Sequence, residues 1–179
     1  MTLNILLSGF GGQGLMSLGK LVATAAIREG KFATYFPSYG PEVRGGTAYC
    51  FVRVADSPIS SPLIDSPDAA ILLNQQSIDK FKAMFSKKCF LILNSDLVKD
   101  KSQIKTKEVV SLALNKIALE SGNIKCANVA ALGALLKLKP GILKQSTIVE
   151  IIKEIFCNNK ELLDQNIKAL HKGEKNANC

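Results

Sequence analysis

Apolar residues follow two rhythms along this chain: short unbroken runs in the first part, then three-and-four spacings towards the C-terminus. Leu3–Ser8 (LNILLS) is a continuous apolar run closed by a glycine, which predicts a buried parallel strand. Leu15–Arg28 sets Leu15, Leu18, Leu21, Val22, Ala25 and Ala26 at helical spacing, with Gly30 as a stop. Phe32–Phe36 is β-prone and ends at Pro37. Strand, glycine turn, helix and strand make a βαβ unit. Thr47–Ala55 alternates, with Tyr49, Phe51 and Arg53 on one face and Ala48, Cys50, Val52 and Val54 on the other. Ala69–Asn74 and Cys89–Asn94 read as further buried strands, separated by a helix running to about Phe85, and Glu108–Leu112 as a last strand. Asp56–Pro67 and the lysine-rich Ser95–Lys107 read as loops. Helices are expected over Asn115–Glu120, Asn128–Leu138 and Thr147–Phe156, with a fainter one over Leu162–Leu170 and a frayed tail from Gly173 to Cys179. The prediction is one α/β domain over residues 1–179: a Rossmann-like, mostly parallel sheet flanked by helices, with a helical C-terminal third.

Composition narrows the function classes. The chain is 47% hydrophobic over 179 residues, enough for a full core and too apolar for disorder. No apolar run reaches membrane-span length, and the N-terminus has neither a basic n-region nor a signal-like cleavage site, so a cytoplasmic protein is expected. The net charge of +8 is uneven: residues 1–79 carry five basic and six acidic groups, residues 80–179 eighteen and nine. The excess is singly spaced lysine with few aromatics, which points to a solvated surface or an acidic protein partner rather than nucleic acid. The five cysteines are scattered and His171 is the only histidine, so a zinc site or an iron–sulfur cluster held by this chain alone is not expected.

The candidate chemistry begins at Gly9–Gly14 (GFGGQG), which follows a strand and opens a helix. There glycines can admit a phosphate to backbone N–H groups at a helix N-terminus, or serve a tight turn and close packing of helix on strand. NAD is disfavoured, because the second strand ends Tyr35-Phe36-Pro37-Ser38 without the carboxylate that grips ribose hydroxyls. A P-loop is excluded in its usual form, since no Gly-Lys-Ser/Thr ending follows. A serine hydrolase lacks its nucleophile elbow.

Residues 38–46 (SYGPEVRGG) form the second motif. Pro41 restrains Gly40, Gly45-Gly46 permit close backbone approach, and Glu42 and Arg44 share a side if the loop is extended. The loop is either pinned by a local ion pair or is a recognition loop at the C-terminal edge of the sheet. Arginine is scarce, three against twenty lysines, and Arg44 is the one among turn residues, where a planar fork suits a phosphate or carboxylate.

These two motifs, followed by Ile59–Pro62 (ISSP), Pro67-Asp68, the Asn128–Gly133 stretch (NVAALG) and Ala169…Gly173, resemble the γ subunit of 2-oxoacid:ferredoxin (acceptor) oxidoreductases. The resemblance covers almost the whole chain. It implies a subunit, inactive alone, of an enzyme that oxidatively decarboxylates a 2-oxoacid with coenzyme A and ferredoxin to give acyl-CoA, carbon dioxide and reduced ferredoxin; 2-oxoglutarate is favoured over branched-chain acids. It implies thiamine diphosphate with magnesium and iron–sulfur clusters on α and β catalytic subunits, and a ferredoxin-like δ subunit beside them. Separately, the lysine excess after residue 80 suits an interaction scaffold, and on that reading the isolated chain is expected to pair with itself as a homodimer. No catalytic or metal-ligating residue is expected on this chain. Gly11, Gly12, Gln13 and Gly14 would face coenzyme A or the catalytic subunits, and Ser38, Tyr39, Glu42 and Arg44 would shape the adjoining surface. The alternative is a stand-alone nucleotide-binding module using the glycine turn.

Overall fold

The N-terminal apolar run forms the centre of the sheet. In the computed structural model, which describes residues 2–38 and 47–177, it is strand β1 (Thr2–Phe10), with Ile5, Leu6 and Leu7 fully buried. The other strands are β2 (Phe32–Ser38), β3 (Thr47–Ala55), β4 (Ala69–Leu72), β5 (Phe90–Asn94) and β6 (Val109–Leu112). Their order is β2-β3-β1-β4-β5-β6. From β1 to β6 the pairing is parallel, whereas β3 runs antiparallel to both β1 and β2.

The expected βαβ unit is therefore split. Helix α1 (Leu15–Arg28) carries the chain from β1 to β2, but β3 folds back into the gap between those two strands. Strand β2 also runs two residues beyond the expected end at Phe36. Pro37 sits within it opposite Cys50, as an outer strand allows, since a missing N–H costs nothing on an open edge.

Alternation along the strands sorts the core into two faces. Ile5, Leu7, Cys50, Val52, Ile71 and Ile92 meet α1 and the C-terminal helices α3 (Leu114–Glu120), α4 (Ala127–Leu138), α5 (Gln145–Ile155) and α6 (Lys160–Asn176). Leu6, Phe51, Ala70, Leu72, Leu91 and Leu93 meet Ile78 and Phe81 of the short α2 (Gln75–Phe81), with Phe85 behind them. Arg28 at the end of α1 forms a two-pronged ion pair with Glu154 of α5, which holds the Glu154 carboxyl below the usual carboxylate range.

The helical third departs from expectation at its end. Helix α6 continues to Asn176, past Gly173, where fraying was expected. Gly173 is buried because α6 crosses α4 there at backbone contact distance: a Cβ on Gly173 would overlap the Ala130 carbonyl, and one on Gly133 would overlap the Leu170 carbonyl. Ala130 and Ala169 complete this small-residue crossing. Helix α4 is buried from Ala127 to Leu136, which explains its nearly uninterrupted apolar sequence.

The thiols follow the packing. Burial pushes Cys50 and Cys89 up to about 12 and raises Cys126, while Cys157 is exposed. Only a thiolate alkylates readily. Brief iodoacetamide treatment of the native protein at pH 8 followed by peptide mapping is expected to label Cys157 while sparing these three until the chain is unfolded.

Candidate functional site: a glycine turn between three hollows

The turn after β1 is built from conformations that favour glycine. Gly12 has φ +88° and Gly14 φ +72°, and the Gln13 side chain closes the turn by accepting from the Phe10 N–H at 2.6 Å. The Gln13 carbonyl oxygen is thus engaged within the turn. Gly14 is the residue before α1 and offers no side-chain cap, and the first turn of α1 carries no acidic residue. Its first amides lie ahead of the intrahelical ladder, which begins with Leu18 N–H to Gly14 O at 2.9 Å. Such an end attracts negative charge.

A second element fixes this end. Asn128, near the start of α4, is buried and donates from Nδ2 to the Gly14 carbonyl at 2.9 Å, while its Oδ1 accepts from the Val129 N–H at 2.8 Å. A Cβ at Gly14 would lie 2.6 Å from Asn128 Nδ2. Gly14 is therefore constrained twice, by its backbone angle and by its neighbour. At Gly12 an added Cβ would meet nothing within 4 Å.

Three hollows converge on the turn. One, about 310 Å³, is lined by Phe10, Gly11, Gly12, Gly14, Met16 and Ser38, among others. A second, about 140 Å³, lies between Gly12, Gln13, Asn115 and Lys125. The third is an apolar groove of about 370 Å³ running from Gly14 past Leu18, Leu21, Ile152 and Phe156. Among the described residues, Lys125 is the one charged side chain lining any of the three, and it borders two of them. The surroundings suit an anionic ligand with an apolar arm. Among the described residues they offer no general base, and the one thiol, Cys126, is pushed up by burial.

The structure thus brings Gly11, Gly12, Gly14 and Ser38 to one hollow, with Gln13 lining the neighbouring one. Tyr39, Glu42 and Arg44 lie outside the described residues; their loop joins Ser38 to Thr47. Sequence reasoning did not assign Asn128 or Lys125 to the site. The signal for Asn128 was a lone amide opening an otherwise apolar helix. Lys125 gave none, being one lysine among twenty. At the neighbouring strand end, Ser8 Oγ donates to Ser77 Oγ (2.9 Å), which donates to Asn74 Oδ1 (2.6 Å), tying β1 to the first turn of α2.

The family described as pyruvate ferredoxin/flavodoxin oxidoreductase matches residues 4–175. The ketoisovalerate oxidoreductase subunit VorA of Methanothermobacter marburgensis is 34% identical over 93% of this chain, which spans only 35% of that protein's length. The 2-oxoglutarate synthase subunit KorC of Methanocaldococcus jannaschii is 34% identical over 97% of this chain and 92% of its own. Among solved structures, the γ subunit of the keto/oxoacid ferredoxin oxidoreductase from Geobacter sulfurreducens superimposes with a TM-score of 0.87 at 30% identity, covering 99% of this chain and 97% of that one. The 2-oxoglutarate:ferredoxin oxidoreductase of Magnetococcus marinus, solved with 2-oxoglutarate, coenzyme A and succinyl-CoA bound, superimposes with a TM-score of 0.86 at 25% identity, covering 98% of this chain and 31% of that one.

Proposed function

The chain belongs to the pyruvate ferredoxin/flavodoxin oxidoreductase family, and from that premise we propose that it is the γ subunit of a 2-oxoacid:ferredoxin oxidoreductase, helping to bind coenzyme A and to assemble the catalytic subunits. The observation that carries the reading is the turn itself: an uncapped α1 N-terminus beside the open Gly12, bordered by Lys125 and by no acid among the described residues. First-turn amides and the Lys125 ammonium would receive a phosphate of coenzyme A, and Gly11 and Gly12 would let it approach the backbone. Ser38 closes the same hollow, and Tyr39, Glu42 and Arg44 are assigned to the adjoining subunit surface.

The chain's part is to bind and to position. Among the described residues no three His, Cys, Asp or Glu side chains converge as metal ligands, and the buried Cys50, Cys89 and Cys126 are spread through the chain, in β3, just before β5 and just before α4. These donors do not fit an iron–sulfur cluster or a magnesium-held diphosphate. We therefore assign thiamine diphosphate, magnesium and the clusters to the α and β subunits, a ferredoxin-like δ subunit and ferredoxin to electron transfer, and the whole assembly to the cytoplasm. No helix among the described residues is long and apolar enough to cross a membrane. The oxoacid we assign is 2-oxoglutarate, supported by the end-to-end match to KorC.

Two measurements test the reading. Coenzyme A at a hundred times its dissociation constant would stabilise the chain by about 2.7 kcal/mol, raising Tm by about 5–10 °C. Stabilisation by NAD, FAD or ATP in its place would identify a stand-alone nucleotide-binding module. Anaerobic capture of the tagged chain from its own cells is expected to bring down thiamine- and cluster-bearing subunits, with coenzyme A-dependent dye reduction fastest on 2-oxoglutarate. A chain that elutes alone and inert would overturn the assignment.

A further inference from the structure

The two outer strands of the sheet are guarded differently. Strand β6 is only four residues long and is flanked by charge: Lys107 and Glu108 precede it, and Glu108 pairs with Lys139 at 3.0 Å. Strand β2 is seven residues long, contains no charged residue, and keeps an unbroken one-to-one register with β3 from Phe32 to Ser38, with no bulge. Short length, charge and bulges are the usual means of keeping an open edge from pairing. Apart from Pro37, β2 has none of them.

Its side chains are also unevenly covered. Ala33 and Tyr35 pack into the core beneath α1. Phe32 and Phe36, which share the opposite face, are 45% and 40% exposed. Between them on that face, the Thr34 hydroxyl is buried with no hydrogen-bond partner among the described residues. Pro37 cannot donate, so the stretch able to pair on both sides is Phe32–Phe36, whose midpoint is Thr34.

That midpoint makes the strand self-complementary, and we infer that β2 pairs antiparallel with β2 of a second copy of this chain about a two-fold axis through Thr34. In that register Phe32 of each copy faces Phe36 of the other, Ala33 faces Tyr35, and the two Thr34 residues face each other. Both aromatic pairs fall on the bare face, and each small residue meets a large one on the core side. A two-fold contact of this kind is isologous, and cross-strand aromatic pairs stabilise it. The sheet would continue from one copy to the next through β2, its outer strand among the described residues. A strand edge alone covers less than the roughly 800 Å² per partner of a typical stable interface, so association should depend on concentration. The inference rests on β2 alone and stands apart from the coenzyme A assignment.

Covalent trapping tests it. Facing Cα atoms in an antiparallel pair lie about 4.5–5.5 Å apart, within the range a disulfide spans. In the full chain carrying Cys157→Ser and Cys179→Ser, Thr34→Cys is expected to yield, on mild oxidation, about tenfold more linked dimer than Ser146→Cys, a control on the exposed start of α5. Adding Phe36→Glu, an exposed position where folding can be checked by circular dichroism, should return the yield to the control level, because the carboxylate would face an aromatic ring. Mass spectrometry should find residue 34 linked to residue 34. Equal yields for the two cysteine variants, linkage of residue 34 to another cysteine, or indifference to Phe36→Glu would overturn the pairing.

Discussion

Replacing Gly133 by valine is expected to cost about 3 kcal/mol, at the upper end for overpacking, and to lower Tm by roughly 10 °C. A Cβ there would overlap the Leu170 carbonyl, and that carbonyl belongs to a helix backbone that cannot move by itself. Relief requires α6 to lift from α4 along the crossing, which would separate Ala130 from Gly173 as well. Because the two glycines face each other's helices, Gly173→Val should do comparable harm. The double variant should cost less than the sum, since the first substitution already opens the gap. Thermal unfolding monitored by circular dichroism measures this. A Gly133→Val chain with unchanged Tm would mean that the helices do not approach so closely.

The second large effect is expected in catalysis. Gly12→Val should leave the chain folded, with Tm lower by only a few degrees, while kcat/KM for coenzyme A in the assembled enzyme falls about tenfold or more, a loss of about 1.4 kcal/mol or greater. The two readouts separate because of the geometry. At φ +88° a side chain costs on the order of 1–2 kcal/mol of backbone strain, yet nothing lies within 4 Å of the new Cβ. The valine would instead occupy the hollow it shares with Gly11, Met16 and Ser38. Gly14→Val is the contrasting case: Asn128 blocks it, so it should lose stability and activity together. Steady-state kinetics at varied coenzyme A decides. Unchanged kinetics in Gly12→Val would remove the ligand from this turn.

Much of the fold was legible. Helix α1 and strand β3 have the boundaries their periodicities predict, because a glycine turn or a loop sets off each one. The direction of β3 was not legible, since two-residue alternation is the same for a strand running either way. Pro37 read as a stop because local rules penalise proline in strands, but that penalty disappears at an outer edge. Gly173 misled for the opposite reason. Locally it signals a helix end, yet here α6 needs a residue without a side chain to cross α4. In the site, four predicted residues meet in one hollow, because strand end, turn and helix start are neighbours in sequence or across β3. Asn128 reaches Gly14 from 114 positions away, and no local pattern reports such a contact.

The two-faced core also sets a timetable for synthesis. The central strand finds its flanking partners, β3 and β4, once residue 72 has emerged, so the middle of the sheet can form early. The layer holding Ile71 and Ile92 is completed only by Ile117, Leu132, Ile148 and Leu170. At roughly ten residues per second, Leu170 follows residue 72 by about ten seconds. During that interval the nascent chain presents an unfinished apolar sheet to solvent, and a ribosome-associated chaperone would have a defined surface and a defined window in which to shield it.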